Sequence, residues 1–225
     1  MLSSDISRPS AEVYLPQSDS RLLIETMHSC CRPEGMRVAD LCTGSGVAAI
    51  AASDAGATSV TAFDASPAAF SAARDNARLA GSVVDVRLGC WSAALELEPF
   101  DLVLCNPPYV PAPSDAEDVI PDAGGPPMSF NAGPDGRLVL GPLCKSAPDL
   151  LTQGGTMLIV QSEFAGVPSS ISALQAGGLR ARVAARTTIP FGPVMTARAR
   201  WLEDAGRLPR GRRTEQLVVI EAVKP

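Results

Sequence analysis

The sequence predicts an α/β fold with a doubly wound, mostly parallel sheet and helices on both of its faces. From residue 36 onward, apolar segments of strand length alternate with segments of helical spacing, which is the order that builds parallel sheets. The apolar run 100–105 has prolines on both sides and is typical of a strand buried on both faces. A glycine-rich turn directly follows the first strand, where such folds open towards ligands.

Seven strands are predicted, each an apolar run of strand length between turn-forming residues. They lie at 36–41, 59–63, 83–88, 101–105, 156–160, 180–188 and 216–222. The helices between them are predicted from apolar residues at helical spacing and from start and stop signals. They lie at 18–30, 46–54, 66–79, 137–151 and 169–176.

Local signals define several helix ends. Ser18 or Asp19 is a suitable N-cap for the first helix. Pro67 occupies the first helical position of the third helix, where its missing N–H has no cost. Pro142 and Pro148 are expected to break the fourth helix into pieces.

We expect a single domain over residues 1–225, because neither a flexible linker nor an internal repeat divides the chain. Residues 1–12 are polar and are expected to be frayed. The segment 111–136 is rich in Pro, Gly and Asp and is long for a loop of a compact domain. Because such loops are usually functional, we predict a lid or a substrate loop there.

The composition restricts the classes of function. Apolar residues make up 46% of the chain, yet no run approaches the roughly 20 apolar residues of a membrane span. The first residues have neither the charged nor the apolar region of a signal peptide, so a cytoplasmic location is expected. His28 is the only histidine, which leaves no histidine-based nucleophile or metal site, and no metal is expected. The six cysteines form no CxxC pair and are expected to be free thiols.

The distribution of charge predicts the kind of partner. The formal net charge is −5, which argues against a protein that holds nucleic acid by itself. Between Leu88 and Gly136 there is no Lys or Arg, whereas the acidic residues there are Glu96, Glu98, Asp101, Asp115, Glu117, Asp118, Asp122 and Asp135. This acidic stretch favours a basic protein partner. A late arginine cluster is interpreted as a solvated face, and it consists of Arg198, Arg200, Arg207, Arg210, Arg212 and Arg213.

The residues Asn106-Pro107-Pro108-Tyr109 predict a stiff turn at the carboxyl end of a buried strand. Both prolines fix φ and lack an N–H, so the strand cannot continue. The Asn106 side chain and the Pro107 carbonyl offer two acceptors, which suit the NH2 group of a carboxamide or an adenine. We predict that they hold the target group and that Tyr109 packs flat against it. An ordinary turn that closes a strand is the alternative interpretation.

The glycine-rich turn at 38–46 predicts a second binding element. Gly44 and Gly46 would allow a ligand to approach the backbone near a helix N-terminus. Asp40 stands just before the turn, where a carboxylate is poorly placed for a pyrophosphate but suits a ligand with an ammonium group. Asp64 ends the next strand and suits a ribose diol. A glycine-rich turn without a ligand is the alternative interpretation.

Together these motifs resemble those of class I S-adenosylmethionine-dependent methyltransferases. The resemblance implies a Rossmann-like sheet of seven strands with the last strand antiparallel. Within the class, the chain is similar to HemK-type protein-glutamine N5-methyltransferases over most of 13–222, most strongly at 40–46 and 106–110. The stretch 13–23 resembles the opening of the short branch of that family, which lacks the separate N-terminal helical domain.

The resemblance also implies an activity, a cofactor and partners. The activity is methyl transfer from S-adenosylmethionine to a glutamine side-chain nitrogen of a release-factor-like protein with a basic, glutamine-bearing loop. The product is S-adenosylhomocysteine. A small zinc-binding activator subunit is an expected partner, whereas nucleic acid and membrane are not.

By the same resemblance, individual residues receive roles. Asn106, Pro107 and Tyr109 would be the catalytic residues that fix the target amide. The cofactor-binding residues would be Ser20, Asp40, Cys42, Thr43, Gly44, Gly46, Asp64, Ala65, Cys90, Trp91 and Asn106. Ser20 would reach the amino-acid end of the cofactor, and Trp91 would either lie along the adenine or pack in the core.

Two positions depart from the pattern of the family. Cys42 replaces a usual glycine, and we expect a slightly tighter pocket there. Cys90 replaces a usual aspartate that accepts a hydrogen bond from the adenine amino group. Because a thiol is a weak acceptor, weaker adenine binding is expected unless Trp91 or the backbone compensates.

Three other functions stay open at this stage. An adenine-N6 methyltransferase acting on DNA or RNA suits the same turn, but it would need phosphate contacts beside an acidic loop. Methylation of a lysine or a small molecule is also compatible with the site. A scaffold that keeps the fold but binds no cofactor gains some weight from Cys90.

Overall fold

The computed structural model describes residues 13–14, 16–113, 120, 123 and 125–225. The expected fraying of residues 1–12 therefore lies outside the described residues. The same holds for the part of the predicted lid at 114–119, 121–122 and 124.

One sheet contains seven strands: β1 (Arg37–Leu41), β2 (Ser59–Asp64), β3 (Asp85–Leu88), β4 (Phe100–Cys105), β5 (Leu151–Ser162), β6 (Arg180–Pro190) and β7 (Thr214–Val223). Their order across the sheet is β3-β2-β1-β4-β5-β7-β6. The first five strands pair in parallel, whereas β7 runs antiparallel to β5 and to β6. The predicted sheet, with its antiparallel last strand, is confirmed.

In the described part of the chain, six α-helices surround the sheet: α1 (Ser18–Cys30), α2 (Val47–Asp54), α3 (Pro67–Ala80), α4 (Leu140–Leu150), α5 (Val167–Ala176) and α6 (Pro193–Asp204). Short 3-10 helices lie at Trp91–Glu96, Pro127–Ser129 and Glu163–Ala165. Pro67 opens α3 as predicted, and the Ser66 hydroxyl caps that helix by accepting from the Ala69 N–H at 3.3 Å.

Two predictions about helix ends and breaks were wrong. Gln17, rather than Ser18 or Asp19, is the N-cap residue of α1, because the Asp19 carboxylate accepts other hydrogen bonds inside the protein. α4 is continuous. Pro142 lies in its first turn, where N–H groups have no intrahelical partner, and Pro148 lies two residues before its end, where little of the helix remains to be broken.

The sequence analysis missed α6. Its signals are Pro193 at the first helical position and a buried stripe that includes Met195, Ala199 and Leu202 at helical spacing. The arginines of this segment obscured the stripe, since they lower its average hydropathy. One of them, Arg198, is itself buried in the packed face of α6.

The strand order creates a crevice at the carboxyl ends of β1 and β4. These two strands are neighbours, yet the chain leaves β1 towards β2 and leaves β4 towards β5, on the opposite side. In open α/β sheets ligands bind where the order reverses in this way. The core beneath the crevice is apolar, with Leu41, Leu102 and Leu104 completely buried.

Candidate active site

A cavity of about 210 Å³ opens at this crevice. Among the residues that line it are most of those that the sequence predicted: Ser20, Asp40, Cys42, Thr43, Gly44, Asp64, Ala65, Cys90, Trp91 and Asn106. Tyr14, just before α1, and Met128 and Ser129, in the segment 111–136, also line it. The structure thus brings the glycine-rich turn, the end of β2 and the asparagine turn to one cavity.

Gly46, which the sequence suggested for the cofactor, does not line the cavity. It has a φ of +84°, and a Cβ added to it would lie 3.1 Å from the Ala73 Cβ. Gly46 therefore allows the start of α2 to approach α3 closely, which is a packing role. Pro107 is buried beneath the turn and likewise does not line the cavity.

The Tyr109 ring also points away from the cavity. It is buried, and its hydroxyl donates a hydrogen bond to Asp19 Oδ2 at 3.1 Å. Tyr109 lines a second cavity of about 60 Å³ instead, together with Asp19 and Glu215. The predicted flat packing of Tyr109 against a target group in the first cavity is absent from this arrangement.

Asp40 is a buried acid at the floor of the cavity, with 2% of its surface exposed. Its Oδ2 accepts from the Thr43 hydroxyl at 2.5 Å and from the Ala49 N–H at 3.0 Å, so it also holds the first turn of α2. Burial raises the pKa of Asp40 to about 7, although these two hydrogen bonds act in the opposite direction. A cation bound beside this buried carboxylate would stabilise its charged form.

Asp64 supports the glycine-rich turn from the end of β2. Its Oδ2 accepts from the Gly44 N–H at 2.8 Å and its Oδ1 accepts from the Ser66 N–H at 2.9 Å. Burial raises the pKa of Asp64, and the backbone hydrogen bonds partly offset this. Each oxygen retains a lone pair that can accept from a ligand hydroxyl.

Cys42 has a φ of +58°, the only positive φ of a non-glycine residue among those that the structure describes. This left-handed conformation costs a residue with a Cβ about 1 kcal/mol, and it favours the glycine that the resemblance implies at this position. Cys90 is exposed at the cavity mouth, whereas Trp91 both lines the cavity and packs against the core. The packing interpretation of Trp91 is confirmed, whereas its role beside the adenine stays a prediction.

A polar network that the sequence analysis missed lies beside Asn106. The Asn106 Nδ2 donates to Ser20 Oγ at 3.3 Å, and Ser20 donates from its N–H and its hydroxyl to Asp19 Oδ1 at 2.6 and 3.3 Å. Tyr14 and Tyr109 both donate to Asp19 Oδ2 at 3.1 Å. No local sequence signal connects Asp19 with Tyr109, since 90 residues separate them.

The arginine cluster is mostly engaged within the protein. Arg212 forms an ion pair with Glu163 and Arg213 forms one with Glu203. Arg207 donates to the Pro134 carbonyl, and Arg198 is buried. Arg200, Arg207, Arg210 and Arg213 are exposed, as expected for a solvated face, whereas Arg198 is buried and Arg212 is half-buried.

Neither a metal cluster nor a membrane span is found in the described part of the chain. Among those residues, no group of three or more His, Cys, Asp or Glu side chains is arranged to hold a metal ion. No helix described there combines the length and the apolarity needed to cross a bilayer.

Similarity to known proteins shows that the chain is a methyltransferase. The methyltransferase small domain family matches residues 17–122, which include both the glycine-rich turn and the asparagine turn. Among solved structures, the E. cuniculi Mtq2–Trm112 complex, responsible for methylation of the eRF1 translation termination factor, has a TM-score of 0.62 at 22% identity. The match covers 95% of this chain and 99% of that chain, and it shows that the fold is shared.

The family follows from the curated relatives. A protein of Methanocaldococcus jannaschii with the provisional name protein N5-glutamine methyltransferase is 30% identical over 84% of this chain and 91% of its own length. The release factor glutamine methyltransferase of Deinococcus radiodurans is 34% identical over 77% of this chain, which spans 62% of that enzyme. The chain belongs to the protein N5-glutamine methyltransferase family, and methyltransferases of this family use S-adenosylmethionine.

Proposed function

We propose that the chain transfers a methyl group from S-adenosylmethionine to the side-chain nitrogen of a glutamine in a release-factor-like protein. The observation that carries this proposal is the meeting of Asn106 with Asp40 and the Gly44 turn in one cavity. The names of the relatives from M. jannaschii and D. radiodurans support the same reaction.

The residues of the cavity fit the cofactor. Asp40 would hold the ammonium group, because among the described residues the hydrogen-bond donors to this buried carboxylate are neutral, namely the Thr43 hydroxyl and the Ala49 N–H. Asp64 would accept from the ribose hydroxyls. Trp91 would lie along the adenine, for which Cys90 offers only a weak acceptor.

Asn106 would orient the target amide from the cavity wall, and the second acceptor would be the Pro107 carbonyl, provided that the substrate reaches past the cavity, which Pro107 does not line. An amide nitrogen is a poor nucleophile, because its lone pair is delocalised. If both N–H groups of the glutamine donate to these acceptors, the lone pair is directed across the cavity and the charge that develops on nitrogen is stabilised. S-adenosylmethionine, when bound, supplies the electrophilic methyl group. The alkylated nitrogen then loses a proton to water, which needs no strong base.

Charge supports a basic protein substrate rather than a nucleic acid. The sequence from Leu88 to Gly136 has no Lys or Arg. Of the late arginines, Arg212 and Arg213 are paired with glutamates and Arg198 is buried, which leaves fewer of them free for phosphate contacts. The charge balance of the sequence therefore disfavours adenine methylation.

An activator subunit would bind at the outer strand of the sheet. β3 pairs only with β2 among the described strands, so its other side is an edge. Leu79, Val83 and Leu88, which we call the β3 edge, are exposed by 61%, 85% and 54%. Leu88 ends β3, whereas Leu79 and Val83 precede the strand, and exposed apolar residues beside an open sheet edge favour a protein partner. The E. cuniculi structure is of a complex with such a second chain, Trm112.

The decisive experiment is mass spectrometry of a Gly-Gly-Gln-containing release factor after incubation with the enzyme and labelled S-adenosylmethionine. We expect one added methyl on the glutamine. Asn106→Ala should lower kcat by about 10²-fold, because it removes a hydrogen bond that strengthens in the transition state. Gln175→Ala, which truncates an exposed amide on α5, should leave kcat unchanged.

Two results would overturn the proposal. One is undiminished turnover by Asn106→Ala. The other is methylation of an adenine-containing oligonucleotide with no methylation of the release factor.

A further inference from the structure

A buried carboxylate lies next to the candidate active site without touching its cavity. Asp19 is 3% exposed and does not line the cavity that contains Asn106. Four donors converge on it: the Ser20 N–H and hydroxyl on Oδ1, and the hydroxyls of Tyr14 and Tyr109 on Oδ2. Because an ionised carboxylate has about four acceptor positions, Asp19 is fully occupied and fixed in place.

This arrangement determines which way the Ser20 hydroxyl donates its hydrogen bond. Asp19 can only accept hydrogen bonds, so the Ser20 hydroxyl donates to it at 3.3 Å. The oxygen of Ser20 is then available to other groups as an acceptor alone. The Asn106 carboxamide meets this oxygen at 3.3 Å and does so with its NH2 group.

The orientation of the Asn106 carboxamide follows from this direction. A carboxamide has a donor end and an acceptor end of nearly the same shape, so sterics alone do not choose between them. With the NH2 end bonded to Ser20, the Oδ1 end is left for a ligand. The proposed function needs an acceptor at that position, because the target amide donates.

We propose that Asp19 is a positioning residue of the methyl-transfer reaction: acting through Ser20, it keeps the Asn106 carboxamide with its oxygen available to the target NH2 group. This inference rests on the proposed function. Tyr109 belongs to the same hydrogen-bond network, since its hydroxyl donates to Asp19 and helps to fix it. Its ring does not line the cavity, so this role needs no contact with the substrate. The rigid turn and the Asp19 network thus determine the position and the polarity of one acceptor.

The experiment compares Asp19→Ala with Asp19→Asn, using a release factor and labelled S-adenosylmethionine. Asp19→Ala should lower kcat by about tenfold, the value of one well-placed hydrogen bond, with the Kd of S-adenosylmethionine within about twofold of the wild type. Asp19→Asn should recover most of kcat, because its carbonyl oxygen still accepts from Ser20. Glu25→Ala, which truncates an exposed acid on the same helix, is the matched control and should change neither quantity.

A double-mutant cycle separates positioning from general stability. If Asp19 acts through Asn106, then adding Asp19→Ala to Asn106→Ala costs no further turnover. Multiplicative losses in the double variant, or parallel losses of kcat and cofactor affinity in Asp19→Ala, would overturn the positioning role. Wild-type protein that methylates no glutamine would instead refute the proposed function, so the two failures are distinguishable. Tyr109→Phe should lower kcat a few-fold, and an unchanged kcat would also contradict the network.

Discussion

Burial raises the pKa of the Asp40 carboxyl group, which its position in the sequence alone does not reveal. The carboxylate lies at the end of β1, as the glycine-rich turn predicted, but its exposure of 2% raises its pKa to about 7. An ammonium group bound beside it would favour the charged form and lower that pKa. Binding of S-adenosylmethionine should therefore release a proton wherever Asp40 is protonated in the free protein.

The sign of the resulting pH dependence follows directly. Below pH 7 the free protein holds a proton on Asp40 that the complex does not, so affinity should weaken as the pH falls. We predict that the Kd of S-adenosylmethionine rises between pH 7 and pH 6 by up to about tenfold, the limit for one linked proton. Calorimetry across this range measures it.

A matched pair of variants tests that assignment. Asp40→Asn should bind the cofactor weakly and lose most of the pH dependence below pH 7. Asp54→Asn changes an acid at the far end of α2, outside the cavity, and should keep the wild-type profile. A wild-type Kd that does not change from pH 7 to pH 6 would show that Asp40 carries no linked proton.

At the scale of elements, Gly46 controls how closely α2 approaches α3. A Cβ at this position would lie 3.1 Å from the Ala73 Cβ and 3.2 Å from its Cα, and φ is +84°. Gly46→Ala should therefore combine backbone strain with overlap and lower the free energy of unfolding by about 2 to 4 kcal/mol. Urea denaturation measures this loss.

Gly35→Ala is the matched control, because Gly35 has a similar φ of +78° but nothing within 4 Å of the added Cβ. It should lower the free energy of unfolding by only about 1 kcal/mol, the backbone contribution alone. Equal losses in the two variants would mean that α2 moves away from Ala73 at no cost.

A comparison of the predicted and observed helices and strands shows how far the sequence determines the fold. The parallel strands were predictable, because strands buried on both faces are continuous apolar runs such as Phe100–Cys105. α6 was not, because its core-facing side includes Arg198 and its periodicity is diluted by exposed arginines. The prediction for α4 failed for a different reason: local rules treat Pro148 as a breaker, whereas packing keeps its last turn helical.

Some residues of the candidate site could be predicted from local sequence signals, whereas others are brought together only by contacts between distant parts of the chain. Asp40, Asp64 and Asn106 were predictable, since each follows or ends a strand and parallel strands end at one edge of the sheet. The Asp19 network was not. It joins Tyr14 and Asp19, at the start of the chain, to Tyr109, beyond the fourth strand, and only the folded molecule brings them together.

For the molecule as a whole, the two edges of the sheet differ in the surface that they present to a protein partner. At one edge lies β6, which forms a long antiparallel pair with β7. At the other lies the four-residue strand β3, with the exposed apolar side chains of the β3 edge. Leu79 at the end of α3, Val83 before β3 and Leu88 at the end of β3 expose apolar side chains near this open edge, and such exposed apolar groups favour a partner that covers them.

We therefore predict that a Trm112-type subunit covers the β3 edge. With the E. cuniculi Trm112 protein as the probe, sedimentation should detect a complex with the wild-type chain. Val83→Asp should weaken binding at least about tenfold, because it places a charge at the most exposed apolar position of the edge. Leu138→Asp, at a position that is 70% exposed but outside the β3 edge, should bind like the wild type. Equal binding by the two variants, or none by the wild type, would remove the β3 edge as the subunit interface.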